Sequence, residues 1–191
     1  MAQATAEINQ DVLVGLVARD QIRTVLFQYA RGIDRRDDAL VRSCYHGDAR
    51  EEHGTFSGQA SEFVDFVMPR LRRFGVTSHC LCNMWIEVNG EVAAAETYFI
   101  AFHLLPLADD ASPSDLLLAG RYIDRFEKRD GNWKIAHRQL VYDYMRLADP
   151  SEAWDGPLGF ARMKRPEAAP HDYVYRRWQE VTAAQEGTLP R

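Results

Sequence analysis

TSHCLCNMWIEVNGEVAAAETYFIAFHLL, residues 77–105, decides the fold. Polar and apolar side chains alternate through Thr77–Val88, Asn89-Gly90 is a two-residue turn signal, and Val92–Leu105 resumes a run rich in β-branched and aromatic residues. That is an antiparallel hairpin. Reading towards the C-terminus, an Asp-, Ser- and Pro-rich loop at Ala108–Asp115 leads to Leu116–Lys128, then Asp130-Gly131, then Trp133–Arg146, a second hairpin of the same kind. Reading towards the N-terminus, the period changes at Gly75 from two to that of a helix. Ile8–Val17 has apolar residues at helical spacing, and Asp20 is placed to cap a new helix in which Ile22, Val25, Leu26, Tyr29 and Ile33 form one apolar face. A short helix is expected around Asp38–Tyr45. A third is expected over Ser61–Arg73, striped by Phe63, Val64, Phe66, Val67 and Leu71 and bent or shortened by Pro69.

Helices first and long strands afterwards is the order of an α+β fold, with a curved antiparallel sheet wrapped around the N-terminal helices. With 191 residues the expectation is one domain spanning 1–191, its core at about 20–147, and an extension over 148–191 carrying a last helix near Tyr173–Ala184. Hydrophobic residues at 46% against 27% charged exclude the composition of a disordered chain. A net charge of -5, with basic residues scattered among acids, gives no reason to approach nucleic acid or an anionic membrane. No apolar run is long enough to span a bilayer, and the N-terminus lacks a signal-peptide pattern, so the chain is expected in the cytoplasm. Three cysteines in such a chain argue against a disulfide framework. Cys80 and Cys82, two apart on a strand, are expected on one face as small buried hydrophobes.

The segments IRTVLFQYARGIDRRD (22–37), TSHCLCN (77–83) and GRYIDRFEKRDGNWKIAHR (120–138) together resemble the SnoaL-like branch of the nuclear transport factor 2-like superfamily, a cone-shaped, cystatin-like fold. Members it resembles include scytalone dehydratase, bile-acid 7α-dehydratase and hexachlorocyclohexane dehydrochlorinase, cofactor-free lyases with an Asp-His pair inside the cone. The resemblance implies Asp34 paired with His79, Tyr29 one and a half turns before the aspartate, and Arg138 five residues after Trp133 in the hairpin. It further implies His103 in the pocket and a homodimer or homotrimer.

Each of these residues also has a structural reading. Asp34 closes an apolar helical face, where an acid is disfavoured by the helix dipole, and is either a turn residue or a carboxylate aimed at the core mouth. His79 on a strand face with Leu81 and Trp85 is either a satisfied core histidine or, bonded to Asp34, a base for taking a proton from carbon. Tyr29 either packs or donates a hydrogen bond to developing negative charge. Arg138 either faces the pocket or pairs with Asp124 on the neighbouring strand; alternation lets only one of His137 and Arg138 point inward, and Arg138 is the choice. With nine Phe, eight Tyr and four Trp the chain can line an aromatic-friendly pocket, where His103, Trp85 and Phe27 are the expected substrate contacts. The six histidines show no metal-ligand spacing, and there is no Gly-rich phosphate loop or serine-hydrolase elbow, so neither metal nor cofactor is expected. The reading is a dehydratase-type lyase for a small hydrophobic, aromatic or polycyclic substrate. Its alternatives are a double-bond isomerase, a C–C lyase releasing formaldehyde from lignin-derived aromatic dimers, and a non-catalytic β subunit of an aromatic-ring-hydroxylating dioxygenase.

Overall fold

A computed structural model describes residues 9–105, 114–148 and 164–185. The expected start of the first helix at Ile8, most of the 108–115 loop, and residues 149–163 and 186–191 of the extension lie outside them. In chain order the elements are α1 (Gln10–Arg35), α2 (Asp38–Ser43), β1 (Tyr45–His53), β2 (Phe56–Gln59), α3 (Ala60–Leu71), β3 (Thr77–Asn89), β4 (Val92–Leu105), β5 (Ser114–Arg129), β6 (Asn132–Ala148) and α4 (Tyr173–Gln185). The six strands form one curved, unclosed sheet in the order β2-β1-β6-β5-β4-β3. The fold is α+β, as the sequence indicates. All neighbouring pairs are antiparallel except β1 and β6, which run parallel and so correct the all-antiparallel expectation.

Both hairpins form, and the second turn is Asp130-Gly131 as read, but the first is Gly90-Glu91, because Asn89 still pairs with Val92 at the end of β3. Asp130 (φ 51) and Gly131 (φ 79) both have positive φ, the backbone that a twist-matched two-residue turn requires. Helix α1 differs from its expectation, because no break occurs at Asp20. The stripe Ala18, Ile22, Val25, Leu26, Tyr29, Ile33 continues through that position, and burial of this one face outweighs the local capping preference of an aspartate. Ile22 and Leu26 are fully buried, each contributing about 1.5–3 kcal/mol.

Strands β1 and β2 were not legible as strands. YHGDAREEH looks polar throughout, yet Tyr45, Ala49 and Glu51 point inward while Asp48 and Arg50 face outward. The cysteine expectation fails as well, since Cys80 and Cys82 are exposed. They share a face, but it is the outer one, opposite Leu81.

The end of α1 is fastened from several sides. Arg36 adopts the left-handed conformation, and the Asp37 N–H donates to the Gly32 carbonyl at 2.8 Å, closing the helix. Gly32 admits α2, because a Cβ there would sit 2.6 Å from Val41 Cγ2. The Arg36 side chain donates to the carbonyls of Leu71 (2.9 Å), Phe74 (2.9 Å) and Gly75 (3.1 Å), tying α1 to the α3–β3 connection. Asp34 and the first residues of β3 are thereby brought together. On the outside, α4 lies along α1: Tyr175 donates to Asp37 at 2.8 Å, and the Arg31 guanidinium stacks over Tyr175 and Trp178.

Candidate active site

Asp34, in the last turn of α1, meets His79 twice. The His79 backbone N–H donates to Oδ2 at 2.9 Å, and Nδ1 of its ring lies 2.7 Å from Oδ1. Asp34 is only 8% exposed. Burial pushes its carboxyl up, but the two His79 bonds and the charge of the imidazole outweigh that, and the group is held below the ordinary aspartate value. A carboxylate only accepts hydrogen bonds, so Nδ1 of His79 carries the proton and Nε2 is left for a ligand.

His79 stands in the wall of a cavity of about 190 Å³ between the helices and the inner face of the sheet. Its polar wall is three histidines (His53, His79, His103) and three tyrosines (Tyr29, Tyr122, Tyr142); the remainder is apolar, with Ile33, Phe63, Phe99 and Leu118 among it. A larger surface trough passes Arg19, Trp85, Asn89 and Arg125 and has none of these histidines in its wall. This partly closed cavity is where proton-transfer groups converge, which makes it the candidate site.

His103 packs edge-on to His79 with ring centroids 5.2 Å apart. Burial, reinforced by the neighbouring His79, pushes it down to about 4. It is neutral at pH 7, and its Nδ1 has no partner among the described residues. Such a buried, unsatisfied nitrogen is a ready hydrogen-bonding point for a polar group on a ligand. Tyr29 is buried against Tyr45 and Tyr122, and burial, first of all, raises it well above the ordinary tyrosine value, so it stays a phenol and a donor.

Three expected residues lie elsewhere. Arg138 is inward but not in the cavity wall: it makes a bidentate pair with Asp124 at 2.7 Å and 2.7 Å, fully buried, with its guanidinium 4.1 Å from the ring centres of both Tyr29 and Tyr122. Of its two sequence readings, the structure shows the ion pair. Trp85 is 68% exposed, because a register shift between Leu81 and Met84 inserts an extra residue and reverses which side chains face inward. Phe27 is exposed on α1, in an outer groove shared with Arg31 and Leu81 that reaches the back of the Asp34–His79 pair.

Sequence reasoning missed His53, Glu51 and Tyr45. Glu51 is fully buried, lies 2.9 Å from His53 Nδ1 through Oε1, and accepts from the Tyr45 hydroxyl at 2.8 Å through Oε2. The available signal was Glu51-x-His53, two residues of one strand face, but it requires β1 to be recognised first. Among the described residues no three His, Cys, Asp or Glu side chains gather as metal ligands, and no helix is long and apolar enough to cross a membrane.

The family described as SnoaL-like domain matches residues 15–139. No curated protein matches the chain in sequence. Among solved structures, the chain is similar to a candidate scytalone dehydratase from Novosphingobium aromaticivorans (TM-score 0.61, 23% identity, covering 72% of this chain and 95% of that one). It is also similar to a type 2 hexachlorocyclohexane dehydrochlorinase (TM-score 0.63, 20% identity, 71% and 91%). A protein with a cystatin-like fold from Nostoc punctiforme aligns with TM-score 0.54 at 18% identity, over 65% and 90%.

Proposed function

This chain belongs to the SnoaL-like domain family, and from that premise we propose that it is a cofactor-independent lyase acting on a small, neutral, hydrophobic substrate. His79, oriented by Asp34, takes a proton from carbon through Nε2, and the electron pair left behind expels a group from the adjacent carbon. Loss of water is the favoured outcome. The observation that carries the reading is an imidazole fixed by a carboxylate at one nitrogen and standing in the wall of a mostly apolar cavity. Two of the similar structures are named for eliminations, a dehydratase and a dehydrochlorinase, which fits this chemistry.

The remaining polar groups take supporting roles. Tyr29, held as a phenol, donates to the oxygen on which negative charge develops, and neutral His103 offers a second contact. Arg138 stays behind the wall, where it holds the Tyr29 and Tyr122 rings. With neither Arg nor Lys in the described cavity wall, the substrate of this reading is uncharged. A dry cavity of about 150 Å³ accepts benzene, so about 190 Å³ suits a single substituted ring better than a polycyclic compound or an aromatic dimer.

The test is incubation with neutral single-ring β-hydroxy ketones, following enone formation by absorbance. His79→Ala and Asp34→Asn are each expected to remove turnover while the protein stays folded by circular dichroism. Full activity in either variant overturns the proposal. A non-catalytic β subunit would instead co-purify with a larger iron–sulfur partner and form no enone.

A further inference from the structure

The cavity has a second carboxylate–imidazole pair. His53, at the end of β1, has Nδ1 against the buried Glu51 carboxylate at 2.9 Å, and the other oxygen of Glu51 is taken by the Tyr45 hydroxyl. Its ring is fixed on both sides, stacked on Phe63 at 4.7 Å between centroids and edge-on to Tyr142 at 6.5 Å. His53 lies in the same cavity wall as His79, and its Nε2 has no protein partner among the described residues. The arrangement repeats that of Asp34 and His79 from a different element of the fold. A histidine serving only to bond Glu51 would have no need to stand in the wall of a cavity that already contains a base.

We propose that His53 is the general acid of the reaction, with Glu51 as its positioning residue, and that the substrate is a neutral β-hydroxy carbonyl compound. The proposal rests on the reading of His79 as the base. His79 Nε2 takes the proton from the carbon next to the carbonyl, and the C–H electron pair becomes the new C=C bond. The C–O bond breaks with its pair on oxygen, and the imidazolium of His53 gives its Nε2 proton to that oxygen, releasing water. One proton has left carbon and one has entered the water formed. His79 ends protonated and His53 neutral, and exchange with solvent restores both. No oxidant or other co-reactant is required. The carboxylate at Nδ1 fixes the orientation of each imidazole, and two such rings on separate elements let one serve each end of the bond being made.

The test uses two probes of the same skeleton, 3-hydroxycyclohexanone, whose leaving oxygen needs a proton, and 3-acetoxycyclohexanone, whose acetate departs without one. His53→Gln keeps a side chain able to reach Glu51 but cannot deliver a proton. It is expected to lose about 100-fold or more on the hydroxy ketone and to stay within about threefold of the unmodified protein on the acetoxy ketone. Glu51→Gln should show the same selective loss, smaller in size, whereas His79→Ala loses both. Equal losses on the two probes, or none on either, overturn the role of His53. An unmodified protein inactive on both probes, or a His79→Ala variant active on both, overturns the base reading beneath it, so the two failures are told apart. The acetoxy probe also reports that the variant has folded.

Discussion

Asp34–His79 and Asp124–Arg138 are both buried pairs of a carboxylate with a nitrogen side chain, and they differ in whether that side chain lines the cavity. Arg138 presents two nitrogens to both oxygens of Asp124, is sealed from solvent, and is covered by two tyrosine rings. Burial works against its charge, but Asp124 prevails and holds the guanidinium above the ordinary arginine value. Asp34 spends its oxygens on one residue, the backbone and the ring of His79, and the ring stands in the cavity wall with no hydrogen bond to its second nitrogen among the described residues. The first pair holds the wall together: its Arg138 Nη1 has no hydrogen-bond partner among the described residues, but it is buried behind the wall. The second stands in the wall itself, and that position is what separates chemistry from architecture at similar depth.

Four substitutions tell the two pairs apart. His79→Gln should lower the rate of enone formation by about 10²–10⁴-fold while shifting the melting temperature little, since the position is a wall rather than a keystone. Comparable loss of stability and activity would place His79 with Arg138 instead. Arg138→Met should show the reverse pattern: leaving Asp124 buried and unpaired costs about 3–5 kcal/mol in denaturant unfolding, with activity of the remaining folded protein falling far less. His103 tests the electrostatics of the cavity side. Its proton is lost more readily folded (about 4) than unfolded (about 6.5), so the unfolded state binds more protons in between. Stability is therefore full above pH 6.5 and declines by on the order of 3 kcal/mol as pH falls towards 4. His103→Leu should flatten that decline in urea titrations, and an unchanged slope would place the proton linkage elsewhere. Trp85→Ala, on the outer face, should change turnover by less than about twofold.

The sheet's long strands were readable because their information is local. Period two and the turn signals at Asn89-Gly90, one residue early, and at Asp130-Gly131 mark out β3–β4 and β5–β6 without reference to anything distant. The α1 stripe was equally local, and the false break at Asp20 arose from weighing a capping preference above a continuous buried face. The wall containing His53 was hidden for the opposite reason. β1 is a strand because it lies parallel to β6, a pairing set by residues far along the chain, and four of its nine residues are charged. Trp85 was misplaced by a single inserted residue, which alternation cannot foresee. Asp34 and His79 were found through their family resemblance, since nothing in the spacing of residues 45 apart says that they touch.

The central claim is that His79 removes a proton from carbon, and exchange without elimination tests it most directly. Cyclohexanone has acidic carbon-bound hydrogens and no leaving group, so in D₂O the protein is expected to accelerate deuterium uptake next to its carbonyl, as seen by proton NMR. His79→Gln is expected to return that uptake to the background rate, and His53→Gln to leave it within about threefold of the unmodified protein. Uptake that is undiminished when His79 is replaced would contradict the account.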